Sequence, residues 1–179
     1  VVDLSRHLPG PFATQLLAEL GADVVKVEDP AGGDLLRQFP PFLDDGSSAV
    51  FSAINRGKRS VVLDLKSVAD RSRFGSLLDT ADVLVEGFRP GVMARLGLEP
   101  AALRRRFPRL IICSITGFGQ AGADAHRAGH DLNYVAASGI LALLKHIQPD
   151  DLLIVVVSGG GSALLCWPME MTCEELTAL

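Results

Sequence analysis

Short apolar runs alternate with amphipathic helical segments along the first 115 residues, and this alternation constrains the fold more than any other feature. The runs predicted to form strands are residues 1–4, 23–28, 60–65, 83–86 and 110–115. Helices are predicted to begin at Gly10-Pro11, Ser67 and Pro100, and the first carries Ala13, Leu16, Leu17 and Leu20 on one face. This order predicts an α/β fold with a mostly parallel sheet, flanking helices and ligands at the carboxyl ends of the strands.

Composition and charge narrow the class of protein. With 179 residues, of which 48% are hydrophobic, the chain can form one domain with its own core. A formal net charge of -4 argues against nucleic-acid binding, and three cysteines without metal-type spacing predict no metal site and no disulfide framework. The most apolar run, residues 152–157, is too short to cross a bilayer. We therefore expect a soluble intracellular protein that binds no metal, nucleic acid or membrane.

Glu28 closes the second predicted strand, where a dinucleotide-binding domain places the acid that holds a ribose. The glycine pattern of such domains is missing, since residues 5–11 contain no G-x-G-x-x-G and Pro11 lacks an N–H for a pyrophosphate. Gly10-Pro11 is interpreted as a tight turn, and dinucleotide binding in this mode is not expected. Residues 31–50 are predicted to form a long loop, and such loops are often functional.

Two basic clusters lie on loops beside predicted strands. The first is Arg56, Lys58 and Arg59, and the second is Arg89 with Arg95. Arginine donates forked hydrogen bonds to phosphate and lysine supplies a mobile point charge, so the clusters together favour binding of a small anion. The alternative is a solvated basic surface, which describes each cluster equally well when it is taken alone.

His130 and Asp131 lie in a polar stretch that leads into an apolar, helical segment. An imidazole can move protons near neutral pH, and a carboxylate can act as a nucleophile or base. Neighbouring residues on a helix do not face each other, so the two side chains are expected to have separate roles. From spacing alone, a plain helix start with Asp131 near the positive end of the helix dipole is the simpler interpretation.

Taken in order, these segments resemble the CaiB/BaiF family, the family III CoA-transferases and acyl-CoA racemases. The resemblance covers residues 1–145 and rests on residues 10–28, 55–66, 81–92, 115–120 and the Gly129-His130-Asp131 signature with Asn133-Tyr134. Several motifs in the right order and spacing are specific to a family.

The resemblance implies a truncated, Rossmann-like N-terminal domain that binds coenzyme A, within an interlocked homodimer that acts on an acyl-CoA. It gives Arg56, Lys58, Arg59, Arg89 and Arg95 the role of holding the CoA nucleotide. The aspartate at the position of Asp131 forms an acyl anhydride in transferases, whereas the histidine at the position of His130 moves the α-proton of a 2-methylacyl-CoA in racemases. His130 favours the α-methylacyl-CoA racemase branch. The implied location is cytoplasmic, or peroxisomal or mitochondrial in a eukaryote.

The likeness to this family ends near residue 145. Residues 146–179 are predicted to form a foreign or divergent strand, glycine loop and helix, and residues 150–165 resemble a segment of the glycerate 2-kinases. The second racemase base, an aspartate ahead of Gly159-Gly160-Gly161, is absent. We therefore expect weak CoA affinity and no measurable racemisation from this chain alone. A non-catalytic fragment that only associates and a small-molecule kinase are the remaining alternatives.

Overall fold

The computed structural model describes residues 1–130 and 133–134. Five strands form one sheet: β1 Val2–Asp3, β2 Val25–Glu28, β3 Arg59–Val62, β4 Val83–Glu86 and β5 Ile111–Ser114. Their order is β3-β2-β1-β4-β5, and every neighbouring pair is parallel. This is the strand order of a doubly wound Rossmann sheet, so the predicted α/β fold is confirmed.

The helices that join these strands are α1 Pro9–Glu19, α2 Ala49–Ile54, α3 Val68–Leu78, α4 Val92–Arg95 and α5 Pro100–Arg106. The predicted loop at residues 31–50 also contains a 3-10 helix, Leu35–Gln38, and the first two residues of α2. Asp34 and Ser48 begin these two short elements, because the side chain of each accepts a hydrogen bond from a backbone N–H in the following turn.

The hydrophobic core lies on one face of the sheet. The register pairs Val2 with Val25 and with Leu84, so these side chains share that face. The core cluster joins residues in or just after the strands to residues of the helices: Val2, Leu4, Val27, Leu63, Leu84, Phe74, Leu78 and Leu103. Burial of a side chain such as Phe74 or Leu78 stabilises the fold by about 1.5–3 kcal/mol.

The opposite face of β1, β2 and β3 is polar. The register places Asp3 beside Lys26, and Lys26 beside Ser60. Helix α1 buries its polar residues Thr14 and Gln15. Leu16 and Leu20, which lie on the apolar face of the predicted helix, are 44% and 85% exposed. Hydropathy therefore did not identify the buried side of this helix.

Two predictions lie outside the described residues. One is Asp131, and the other is the strand, glycine loop and helix at residues 146–179. The boundary at residue 145 likewise stays a prediction. Across the part of the chain that the structure describes, no helix is both long and apolar enough to span a membrane.

Candidate functional site

A crevice of about 300 Å³ opens at the carboxyl ends of β1 to β4, on the core face of the sheet. Its apolar floor is formed by Leu4, Val27 and Leu63, and its far wall by Phe88, Val92 and Leu96. Chain order reverses between β1 and β4 in this sheet, which makes their carboxyl ends a topological switch point. Open α/β sheets bind their ligands at such a point.

Arg6 spans one side of this crevice. Its guanidinium lies 5.7 Å from the centre of the Phe88 ring, and its Nη2 lies 3.4 Å from the Asp29 carboxylate. These contacts join the loops that follow β1, β2 and β4. Both charged side chains are partly exposed, so a stronger anion can compete for the guanidinium at little cost.

Lys66 lines the crevice from the loop that follows β3. Its N–H donates to Asp64 Oδ1 at 2.9 Å, and its carbonyl accepts from Arg71 Nη1 at 2.7 Å. These bonds fix the backbone of Lys66, and its side chain is exposed at the crevice.

Glu86 shapes the loop that follows β4. Its carboxylate is buried and accepts a hydrogen bond of 2.8 Å from the Phe88 N–H. Gly91 then adopts a left-handed φ of 82° and starts α4, a conformation in which a side chain would be strained. This turn sets Phe88, Val92 and Leu96 along the crevice wall.

Glu28 does not have the role of a ribose-binding acid. Its carboxylate accepts from Arg37 at 2.6 and 2.7 Å, from Ser60 Oγ at 2.5 Å and from the Asp34 N–H at 3.0 Å. Burial by itself would raise the pKa of Glu28, but these hydrogen bonds outweigh burial and lower the pKa from 4.5 to about 2. The carboxylate is ionised and already fully bonded, in agreement with the missing dinucleotide glycine pattern.

The structure does not bring the two predicted basic clusters together. Arg89 and Arg95 follow the carboxyl end of β4 and flank the lining residue Val92. Within residues 1–130 and 133–134, Arg89 has no side-chain hydrogen bond or ion pair. Arg59 begins β3 at the opposite, amino-terminal edge of the sheet and pairs with Asp23 at 2.6 Å.

Arg56 and Lys58 also bind carboxylates of the protein itself. Arg56 pairs with Glu19, in the last turn of α1. The Lys58 side chain is 2% exposed, and its ammonium lies 3.2 Å from Asp3, 2.8 Å from Asn55 and 2.7 Å from the Pro11 carbonyl. Burial lowers the pKa of Lys58, and the Asp3 charge opposes that shift.

His130 lies in the second compact unit of the chain, which begins at Ala128. Its imidazole is exposed, and its carbonyl accepts from the N–H groups of Asn133 and Tyr134 at 2.9 and 3.1 Å. Asn133 Oδ1 accepts in turn from the His130 N–H at 3.2 Å. His130 therefore starts a helical turn. Asp131, the other predicted catalytic residue, lies outside the described residues.

Two crevice cations, Arg6 and Lys66, were missed by the sequence analysis, although each follows a predicted strand. The carboxyl-end rule applied to every strand could have found them. Within residues 1–130 and 133–134, no group of three or more His, Cys, Asp or Glu residues could hold a metal ion.

The fold is thus a doubly wound α/β domain with a crevice at its switch point, lined by two basic residues, Arg6 and Lys66, and three acidic ones, Glu28, Asp29 and Asp64. The family model for CoA-transferase family III matches residues 1–155, and the chain belongs to this family. The resemblance inferred from the motifs is thereby confirmed.

Curated and solved relatives agree with this assignment. The chain is 48% identical to acetyl-CoA:oxalate CoA-transferase of Acetobacter aceti, over 100% of this chain and 45% of that protein. It is 40% identical to human alpha-methylacyl-CoA racemase, over 93% of this chain and 40% of that protein. The crystal structure of a CAIB/BAIF family protein from Brucella suis matches with a TM-score of 0.73 and 42% identity, over 78% of this chain and 38% of that one. The chain thus spans less than half the length of these relatives.

Proposed function

We propose that the crevice holds the nucleotide part of coenzyme A, and that the protein acts on an acyl-CoA thioester. The observation that supports this most directly is the set of cations at the switch point. Arg6 and Lys66 line the crevice, and Arg89 and Arg95 lie on the segment that forms its wall. Phosphates are bound by arginine forks and lysine charges of this kind.

The apolar part of the crevice suits the rest of the nucleotide. Phe88 already accepts a planar guanidinium against its ring, so the ring face is accessible to a planar group. A volume of about 300 Å³ is at the lower end of ligand sites and fits part of a CoA molecule rather than all of it. The acyl group and much of the pantetheine arm are therefore proposed to lie outside this crevice.

Arg89→Ala should weaken CoA binding about tenfold or more. A hydrogen bond to a charged group contributes about 1.5–3 kcal/mol, and 1.4 kcal/mol corresponds to a factor of ten in affinity. Isothermal titration of the purified chain with CoA measures the change. The control is Arg104→Ala, which removes the same charge from α5, near the amino-terminal end of β5.

Two results would contradict this assignment. One is a wild-type chain that gives neither heat nor a thermal shift with CoA. The other is an Arg89→Ala variant that binds CoA as the Arg104→Ala variant does.

CoA transfer is the proposed reaction, supported by the 48% identity to a CoA-transferase over the whole of this chain. In this reaction an Asp131 carboxylate oxygen attacks the thioester carbonyl. The C–S bond breaks, CoA thiolate leaves, and the acyl group stays on Asp131 as a mixed anhydride. The thiolate then attacks the Asp131 carbonyl of this anhydride, which releases the donor carboxylate and leaves an Asp131–CoA thioester. An acceptor carboxylate attacks that thioester and displaces the thiolate, which then attacks the acceptor carbonyl of the new anhydride to give the acceptor-CoA and free Asp131.

Racemisation is the second candidate, and the exposed imidazole of His130 favours it. The imidazole would remove the α-proton of a 2-methylacyl-CoA, and N–H donors would stabilise the enolate that forms. Return of a proton to the opposite face needs a second base, and the expected aspartate ahead of Gly159 is absent. For this reason CoA transfer takes precedence here over the racemase interpretation of the sequence.

Trapping distinguishes the two reactions. After incubation with acetyl-CoA and then hydroxylamine, we expect a hydroxamate on Asp131, detected by peptide mass spectrometry, since one half-reaction is enough. Asp131→Asn should abolish it, whereas Asp124→Asn, which changes a surface carboxylate paired with Arg127, should not. Rapid deuterium exchange at the α-carbon of a 2-methylacyl-CoA, lost in His130→Asn, would assign racemisation instead.

A homodimer and a cytoplasmic location, both implied by the family resemblance, stay predictions. Sedimentation of the purified chain tests the first of them.

A further inference from the structure

Lys26 lies on the polar face of β2, opposite the core, and is not among the residues that line the crevice. Its side chain is 2% exposed, and its ammonium lies 2.9 Å from Asp34 Oδ2 and 2.9 Å from the Ser5 carbonyl, to which it donates. The Asp34 side chain is fully buried. The buried Lys26 ammonium therefore links the segment that follows β1 to the loop that follows β2.

The segment that this ion pair holds contains Arg6. Ser5 precedes Arg6 and is bonded through its carbonyl to Lys26. His7 follows Arg6, and its N–H lies 3.4 Å from Asp34 Oδ1. The same ion pair thus contacts the backbone on both sides of a crevice residue.

The backbone of His7 adopts a conformation that residues with a side chain rarely take. Its φ of 63° is left-handed, and His7 is the one non-glycine residue with a positive φ in the described part of the chain. A left-handed residue with a side chain persists only where its surroundings impose it, and such strain is concentrated at functional sites. The contacts to Lys26 and Asp34 are surroundings of that kind.

A buried ion pair is also a poor way to gain stability, because desolvation of the two charges offsets their attraction. Apolar residues of similar volume serve a core equally well. The pair is better explained by the backbone geometry that it imposes.

We propose that Lys26 is a positioning residue for ligand binding: by tying the Ser5 carbonyl to the Asp34 carboxylate, it fixes the turn that presents Arg6 to the crevice. This inference rests on the proposed function for the identity of the ligand. The contact of the turn with the ion pair does not depend on that identity.

The test is the double variant Lys26→Met with Asp34→Asn. Changing both partners leaves neither of them as an unpaired buried charge. The side-chain oxygen of the asparagine can still accept the hydrogen bond that the Leu36 N–H donates to Asp34 Oδ1 at 3.1 Å. We expect the affinity for CoA to fall at least tenfold and the amides of residues 5–8 to exchange with deuterium at least tenfold faster. The control is Leu78→Ala, which opens the core on the face of the sheet opposite Lys26, at the end of α3 that lies away from the crevice.

In Leu78→Ala, the midpoint of unfolding should fall while CoA affinity and the relative protection of residues 5–8 stay as in wild type, measured well below that midpoint. A double variant with wild-type CoA affinity would overturn the proposal. If the wild-type chain binds no CoA, the proposed function fails, and exchange at residues 5–8 decides the positioning claim. Unchanged exchange there would overturn it, and faster exchange would support it.

Discussion

Lys58→Met is expected to lower the free energy of unfolding by about 3–5 kcal/mol, because it leaves the buried carboxylate of Asp3 without its counter-charge. Asp3 is fully buried and accepts from the Ser5 N–H at 2.9 Å, from Thr14 Oγ1 at 2.6 Å and from Lys58 Nζ at 3.2 Å. Methionine fills a similar volume but donates nothing, so the lost ion pair dominates. Urea unfolding at neutral pH, followed by circular dichroism, measures the change.

Two further variants make this prediction specific. Lys58→Met combined with Asp3→Asn should lose less stability than Lys58→Met alone, because the buried charge is gone and the Thr14 hydroxyl can accept as well as donate. Arg59→Met should change stability by no more than about 1 kcal/mol, since its pair with Asp23 is exposed. If Lys58→Met kept wild-type stability and weakened only CoA binding, Lys58 would act as the phosphate ligand that the family resemblance implies.

Gly10→Ala is expected to cost about 3 kcal/mol, at the upper end of the range for overpacking. A Cβ at this position would lie 2.1 Å from Ser5 Cβ and 2.2 Å from Ser5 Oγ. Ser5 cannot move aside easily, because its N–H and hydroxyl are bonded to Asp3 and its carbonyl to Lys26. The steric clash therefore outweighs the better helix propensity of alanine.

Gly75→Ala is the matched control, since Gly75 is also a buried helical glycine. Its added Cβ would meet only the flexible end of Arg106, at 3.3 Å or more. There the propensity gain should prevail, and stability should rise by up to about 1 kcal/mol. Equal melting temperatures for Gly10→Ala and wild type would show that the turn at Ser5 is not rigid.

The order and type of the main elements could be predicted because they depend on local patterns. Each of the five apolar runs forms a strand, and Pro9–Glu19, Val68–Leu78 and Pro100–Arg106 form helices close to the predicted starts. The 3-10 helix and α2 were missed, since their start signals are single capping residues in a segment rich in loop formers. Helix α4 was also missed, because its four residues are too few to show a helical period.

Part of the candidate site could be predicted in the same way. Arg89 and Arg95 lie on the segment that forms the crevice wall, as expected for cations that follow a strand. The sequence offered no means of separating them from Arg56, Lys58 and Arg59, because all five are basic residues in loops or at element ends. Their different surroundings depend on which edge of the sheet each one reaches.

By itself, the sequence determined the α/β fold, the family and the edge of the sheet where a ligand is expected, because periodicity and motif order are properties of neighbouring residues. Only the tertiary structure decided which charged side chains are buried in ion pairs with other residues of the protein. Lys58 and Asp3 are 55 positions apart, and they meet because β1, β2 and β3 pair in one particular register. The same register made one face of the sheet polar, so α1 buries Thr14 and leaves Leu20 exposed. A hydropathy pattern cannot reveal which side of α1 is buried, since it scores each residue without regard to the residues it packs against.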